Sequence, residues 1–278
     1  MASVERMQAN MDLVNKLKLE RGFIIRLRKL FRSMIDEFAA GYAADGDIIQ
    51  AQDFEPEFRA LILEQYRRTS KVFKRGMRNR VGMKSMQVKS VGDDIDRNIR
   101  LFSHEQSTLS AKAISRTNQL KIEDAIKKSI ASLMFDAVVD DQMIGAVISA
   151  PTSIAIAKEA RRLLNIETTN RSNVIALTET QKIAERSKQI EIDVLKTDQE
   201  FIEATGGAEI IKDWVNVGDD KVRDTHVQAQ FDNKNIPAND PFIVGGFQLM
   251  IPGDSSLGAP LDEIINCRCS SVYNVKGL

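Results

Sequence analysis

The stretch "DDKVRDTHVQAQF", residues 219 to 231, contains Arg223 and His226 and follows Trp214, the sole tryptophan of a 278-residue chain with two histidines. An arginine and a histidine three residues apart on a helix share one face, so a guanidinium and an imidazole would be presented together. Such a pair can hold an anion and move a proton. It can equally lock a fold, with Arg223 forming a fork to a carboxylate such as Asp254 and His226 donating to a backbone carbonyl of a nearby hairpin. Aspartates are plentiful around it, and no serine, cysteine or glycine-rich nucleophile motif completes a site, so the structural role is the expectation and catalytic residues are not expected.

The two cysteines, Cys267 and Cys269, sit in "NCRC" and have no distant cysteine to pair with. A reducing cytosol suits their assembly. If "NCRCSSVYNV" is a strand, Cys267, Cys269, Ser271, Tyr273 and Val275 face one way and Arg268, Ser270, Val272 and Asn274 the other. The cysteines then lie on the more apolar side, as small buried hydrophobes, and no cofactor is expected. Zinc is the alternative, with Cys267, Cys269 and His226 as ligands and Asp254 as a fourth, although C-x-C with one distant histidine is less specific than paired C-x-x-C motifs. A Cys–His nucleophile lacks any local signature around the thiol.

Helices must position these residues. Leu13, Leu17, Ile24, Leu27, Phe31, Met34, Ile35 and Phe38 recur at helical spacing until Gly41 and Gly46. A second helix is expected from about Asp53, with Pro56 in its first turn, to Gly76. "GMKSMQVKSVGDD" reads as a loop, and helical spacing resumes from Ile95 through Leu133. A further helical stretch leads to Pro151, where Ser149 or Thr152 would cap the helix entering "AIAKEARRLL". Asn170 or Ser172 would open another long helix closed by Gly206 and Gly207.

Beyond the glycine pair, "EIIKDWVNV" has the content of a strand. "DDKVRDTHVQAQF" reads as a short helix with Asp219 or Asp220 at its N-terminus. "PFIVGGFQLMIPGD" reads as a β-hairpin turning at Gly245-Gly246. "PLDEII" suggests one helical turn. The fold class expected is α+β: a long-helix N-terminal two-thirds (1–205) followed by a small C-terminal α+β domain (206–278) with a β-hairpin.

Composition excludes several classes. Charges are balanced at 39 against 39, hydrophobic residues make up 43% and prolines number six, which fits neither a disordered nor a collagen-like chain. The N-terminus "MASVERMQAN" has no apolar core of signal-peptide length. The longest apolar run, residues 143 to 157, is too short for a membrane span and is interrupted by Pro151, so no membrane association is expected. The zero net charge hides an asymmetry. Between Tyr66 and Val91 lie nine basic residues and no acidic one, and from Asp213 onward nine acidic face five basic. Arg67, Arg68, Lys71, Lys74, Arg75, Arg78 and Arg80 form a candidate surface for DNA or for an acidic partner. With only Tyr66 and Phe73 interleaved, a single-strand stacking platform is not expected.

Together, "WVNVGDDKVRDTH", "GGFQLMIPGD" and "EIINCRC" resemble the ordered signature of the Mu F-like minor head proteins of tailed bacteriophages. "SNVIALTETQKIAE" resembles a helix of that family carrying an alanine-arginine-threonine-glutamate-threonine pattern. The resemblance covers roughly residues 165 to 275. Leu177 stands where the family usually has arginine, and "QAQFDN" runs on where a glycine commonly follows the histidine. The resemblance implies a head-morphogenesis protein inside the virion head near the portal, present in the host cytoplasm during assembly. Its partners would be the portal protein, packaged double-stranded DNA, and a scaffold or major capsid protein. Its residues Trp214, Arg223, His226, Asp254, Asn266 and Arg268 would form a structural polar lock. The alternatives are a phage-delivered hydrolase, nuclease or ADP-ribosyltransferase, and a non-specific DNA-binding protein.

Overall fold

The structure, a computed structural model, describes residues 4–48, 50–74, 89–140 and 150–277. It is an α+β protein, as expected: long helices come first and a small region of antiparallel strands with a β-hairpin follows. The helices are α1 (Val4–Asp45), α2 (Glu55–Phe73, entered through a 3₁₀ turn at Ala51–Phe54), α3 (Lys89–Asp140), α4 (Ser153–Leu195) and the short α5 (Gln199–Ala204). Then come β1 (Ile210–Asn216), α6 (Asp224–Asp232), β2 (Ile236–Pro237), β3 (Phe242–Val244), β4 (Phe247–Leu249), α7 (Leu261–Ile264) and β5 (Cys269–Val275). No helix among the described residues is long and apolar enough to cross a membrane.

Several boundaries differ from the sequence pattern. Gly41 does not stop α1; the helix runs on to Asp45 and ends at Gly46, whose φ of +75° marks the change of direction. Lys89 to Asp94, expected in a loop, already belong to α3. Asn170 and Ser172 do not open a helix either. They lie inside α4, which starts where Thr152 accepts from the backbone N–H of Ala155 at 3.3 Å. Asp198 caps α5 by accepting from Phe201 N at 2.8 Å, and Gly206 and Gly207 follow with positive φ. The expected helical stretch before Pro151, together with Ser149, falls outside the described residues, as does "GMKSMQV" of the expected loop.

The chain forms two compact units. One gathers Met1–Phe23, Leu63–Glu105 and Val174–Leu278, so Gly206 falls inside it; the other gathers Ile24–Ile62 and Gln106–Asn173. Among the described residues the second unit holds helices and no strand. Its buried residues include Phe31, Phe38, Phe58, Ile62, Ile122 and Leu164, with Phe31 and Phe58 at 5.2 Å between ring centroids.

The first unit contains the sheet. Its strand order is β2-β1-β5, all antiparallel, with Trp214 opposite Ser271 and Asn216 opposite Cys269. Every residue of β1 is buried, as suits a central strand covered on both faces. One apolar cluster joins Val91, Ile95, Ile99 and Ile190 to Ile210, Tyr273 and Val275, and a second joins Trp214 to Ala229, Phe242, Val244, Leu249 and both cysteines.

Among the described residues, the outer margin of β5 has no strand beside it. Side chains of α4 take that place: Gln181 Nε2 donates to the Cys269 carbonyl at 2.8 Å, Glu185 Oε2 accepts from Ser271 N at 2.9 Å, and Lys188 Nζ donates to the Ser271 carbonyl at 3.0 Å. Residues 181, 185 and 188 share one helix face, so a single stripe satisfies backbone groups that an edge strand would leave open. From α1, Lys16 adds bonds to Gln181 (2.7 Å) and Glu185 (2.9 Å), and Lys188 also reaches Glu185 (2.7 Å) and Asp12 (3.1 Å). These four charged groups are all under 8% exposed.

Glu20 lies near this network at 5% exposure. Burial pushes its carboxyl up to about 7 from an ordinary 4.5, against the opposing pull of Lys16 and Arg268. Because the folded state holds the proton more tightly than the unfolded one, the contribution of Glu20 is best below pH 4.5. It is lost as pH rises, and the loss is complete above about 7. Glu20→Gln is therefore expected to gain stability relative to the parent between pH 5 and pH 8, by up to about 3 kcal/mol. Urea unfolding of both proteins at the two pH values measures this; a difference that stays flat with pH would contradict it.

Candidate functional site: a buried histidine and two thiols

His226 enters the site from the first turn of α6. Arg223, just before the helix, has extended backbone (φ −66°, ψ 149°) and occupies the N-cap position. The helix thus begins at Asp224, not at Asp219 or Asp220; Asp219 instead accepts from Lys221 N in the preceding turn. Arg223 and His226 consequently do not share a helix face. Nor does Arg223 fork to Asp254, because its Nη2 donates to the Ile265 carbonyl, fastening the loop before the cysteines.

The imidazole of His226 is 1% exposed. Its Nε2 lies 2.9 Å from Glu263 Oε2, and that oxygen also accepts from Thr225 Oγ1 at 3.0 Å. A carboxylate can only accept, so Nε2 carries a proton and Nδ1 is turned the other way. Nδ1 faces the two sulfurs, at 3.4 Å from Cys269 Sγ and 3.7 Å from Cys267 Sγ. The histidine does not donate to a hairpin carbonyl. The edge of the ring meets Trp214 at 5.3 Å between centroids with an interplanar angle of 89°, and Trp214 meets Phe242 at 5.3 Å and 81°.

Cys267 precedes β5 instead of belonging to it, so strand alternation does not set its direction. Asn266 has φ +57°, a left-handed conformation that asparagine tolerates better than most residues. That turn brings Cys267 beside Cys269, and both are buried in the cluster around Trp214. A hydrogen bond from Cys269 and the neighbouring imidazole hold the Cys267 thiol below its ordinary range, whereas burial pushes the Cys269 thiol up. Burial would lower His226, but the hydrogen bond to Cys267, the charge of Cys267 and that of Glu263 together outweigh it, and the net shift is upward.

The nitrogen and two sulfurs lie within 4.8 Å of one another and form a group that could hold a metal ion. Asp254, the fourth ligand considered from sequence, is not in that group. It accepts from Met250 N, Ser256 N and Ser256 Oγ, closing the turn of "IPGD" on itself. Arg268 points to Asp219, at 2.5 Å.

Two contributors, Glu263 and Asn233, carry little sequence signal. Glu263, the partner of His226, sits in a one-turn helix with no periodicity to mark it. Gly245 shows why the hairpin turn must be so small beside it: a Cβ there would come within 2.6 Å of Glu263 Oε1, and its φ is +57°. Asn233, 2% exposed, ties α6 to the hairpin by donating to the Ala229 and Ile243 carbonyls and accepting from Ile243 N at 2.8 Å.

The basic stretch lies elsewhere in the same unit. Arg67, Arg68 and Lys71 are exposed, and with Lys74 they line a groove of about 390 Å³ to which α3 adds Arg100 and His104. Arg68 pairs with Glu64 and Lys74 with Asp96. Arg67, Lys71 and Arg100 have no acidic partner among the described residues. Arg75, Arg78 and Arg80 lie outside the described residues.

Compared with protein-family models, with curated proteins and with solved structures, the chain gives no match.

Proposed function

We propose that the chain is a minor head protein of a tailed phage, of the Mu F-like type. In this reading it is held at the portal vertex inside the head and assists DNA packaging, retention or ejection. The observation that carries this reading is the convergence of the pieces of its signature. Trp214 packs on the histidine of "RDTH", both thiols of "NCRC" face that histidine, and Gln181 of the "TETQ" helix bonds both to the Cys269 carbonyl and, at 3.4 Å, to the Pro252 carbonyl of "PGD". Residues engaged with one another at 0–3% exposure support a role in keeping shape, and offer a substrate no approach.

The groove of Arg67, Lys71 and Arg100 supports contact with packaged double-stranded DNA, because unpaired guanidinium and ammonium groups neutralise phosphates without reading sequence. The test is co-expression with the matching portal protein in cells making no mature capsids. The expected result is that the two co-purify, and that reversing Arg67, Lys71 and Arg100 to glutamate weakens DNA retention. The slope of log affinity against log salt should also flatten, by about 0.9 for each phosphate the variant no longer neutralises. DNA binding that persists without any affinity for the portal favours a general nucleic-acid-binding protein. Turnover of a substrate that depends on His226 favours the delivered enzyme.

A further inference from the structure

We propose that His226, Cys267 and Cys269 bind one zinc ion, which staples the start of β5 to α6. The inference goes beyond the head-protein reading and holds whatever particle the chain joins. Four observations lead to it.

The first is spacing. Zinc takes thiolate sulfur at about 2.3 Å and imidazole nitrogen at about 2.0–2.1 Å in a tetrahedron, which sets nitrogen-to-sulfur edges of about 3.5–3.6 Å. The edges here, 3.4 and 3.7 Å, bracket that value. The second is orientation. Glu263 keeps the proton on Nε2 and so turns the lone pair of Nδ1 toward the sulfurs, the outer carboxylate arrangement that orients metal-bound imidazoles.

The third is the indole N–H of Trp214. It is fully buried with no hydrogen-bond partner among the described residues, in the same apolar cluster as Cys269. A buried donor left without oxygen or nitrogen is costly, and a metal-bound thiolate is a stronger acceptor than a thiol. The fourth is charge. Two thiolates with one neutral imidazole compensate a divalent cation completely, as a site with ligands only 0–3% exposed requires. The donor set is soft, which selects zinc or copper(I) over the oxygen-seeking cations. Three protein donors leave one position for a small ligand such as water.

Binding loses two thiol protons to solvent and changes no oxidation state. The full chain, purified under reducing conditions from cells supplied with zinc and dialysed, should carry one equivalent of zinc by elemental analysis, and Cys267→Ser should carry none. Because that variant can fail to fold, the wild-type chain provides a second measurement. Exchange of its zinc for cobalt(II) should produce the thiolate-to-cobalt charge-transfer absorption and the intense visible bands of a tetrahedral site, and a mercurial should release the ion as the two thiols are titrated. A metal-free wild-type chain, copper in place of zinc, a cobalt spectrum without charge transfer, or a mass showing Cys267 and Cys269 joined as a disulfide would each overturn the assignment.

Discussion

Replacing Glu185 by alanine is expected to destabilise the first unit by about 3–5 kcal/mol, the range for removing one partner of a buried ion pair. Glu185 is fully buried and serves three groups at once: Lys16 at 2.9 Å, Lys188 at 2.7 Å and the backbone N–H of Ser271 at 2.9 Å. Its removal leaves two ammonium groups facing each other with Asp12 as the ion-pair partner that remains, and strips a strand N–H of its acceptor. Denaturant unfolding followed by far-ultraviolet circular dichroism measures the loss. A companion variant, Lys16→Met with Glu185→Ala, should recover part of it, because the second change removes a stranded charge. A loss below about 1 kcal/mol for Glu185→Ala would mean that water enters the network and the pairs behave as surface pairs do.

Trp214→Ala should cost a similar amount, about 3–5 kcal/mol, for a different reason. The side chain is fully buried between His226 and Phe242, and its loss opens a cavity in the middle of the small sheet's apolar cluster. Trp214→Phe keeps an aromatic edge for both neighbours and should cost less, while giving up the buried N–H. As the chain has one tryptophan, its fluorescence in the parent reports on this site alone, and the unfolding curve it gives should coincide with that of the strands. Equal losses for the alanine and phenylalanine variants would show that the indole N–H, and not packing, holds the cluster.

Much of this architecture was legible in the sequence because its signals are local. The apolar stripe from Leu13 to Phe38, the glycine pair of the hairpin and the β-branched run around Trp214 each name an element without reference to the rest of the chain. What misled were polar residues whose partners are distant. Asn170 and Ser172 look like helix starts, yet they lie inside α4. Asp219 and Asp220 look like caps, but Arg223 occupies the N-cap position and Asp219 pairs with Arg268.

The candidate site divides in the same way. His226 and the cysteines stand out by rarity, and Trp214 by being alone. Glu263, Asn233, Lys16 and Glu185 do not, because a carboxylate, amide or ammonium on a helix is ordinary until a particular backbone comes against it. Gln181, Glu185 and Lys188 form a regular polar stripe, which reads as a solvated face until β5 supplies carbonyls and N–H groups for it to meet. Asp254 shows the converse: a carboxylate near the right motif that is fully used by its own turn.

The closed margin of β5 has a consequence for crowding. A bare strand edge is a template on which a neighbour's backbone can zip, and that is how closely confined chains begin to fuse into fibres. Here the template is already read, at Cys269 and Ser271, by a helix of the same molecule, so copies brought together at high local concentration cannot extend this sheet across those residues. On that side, whatever joins them must do so through side chains, where charge and shape can be chosen, and the join can then be reversed.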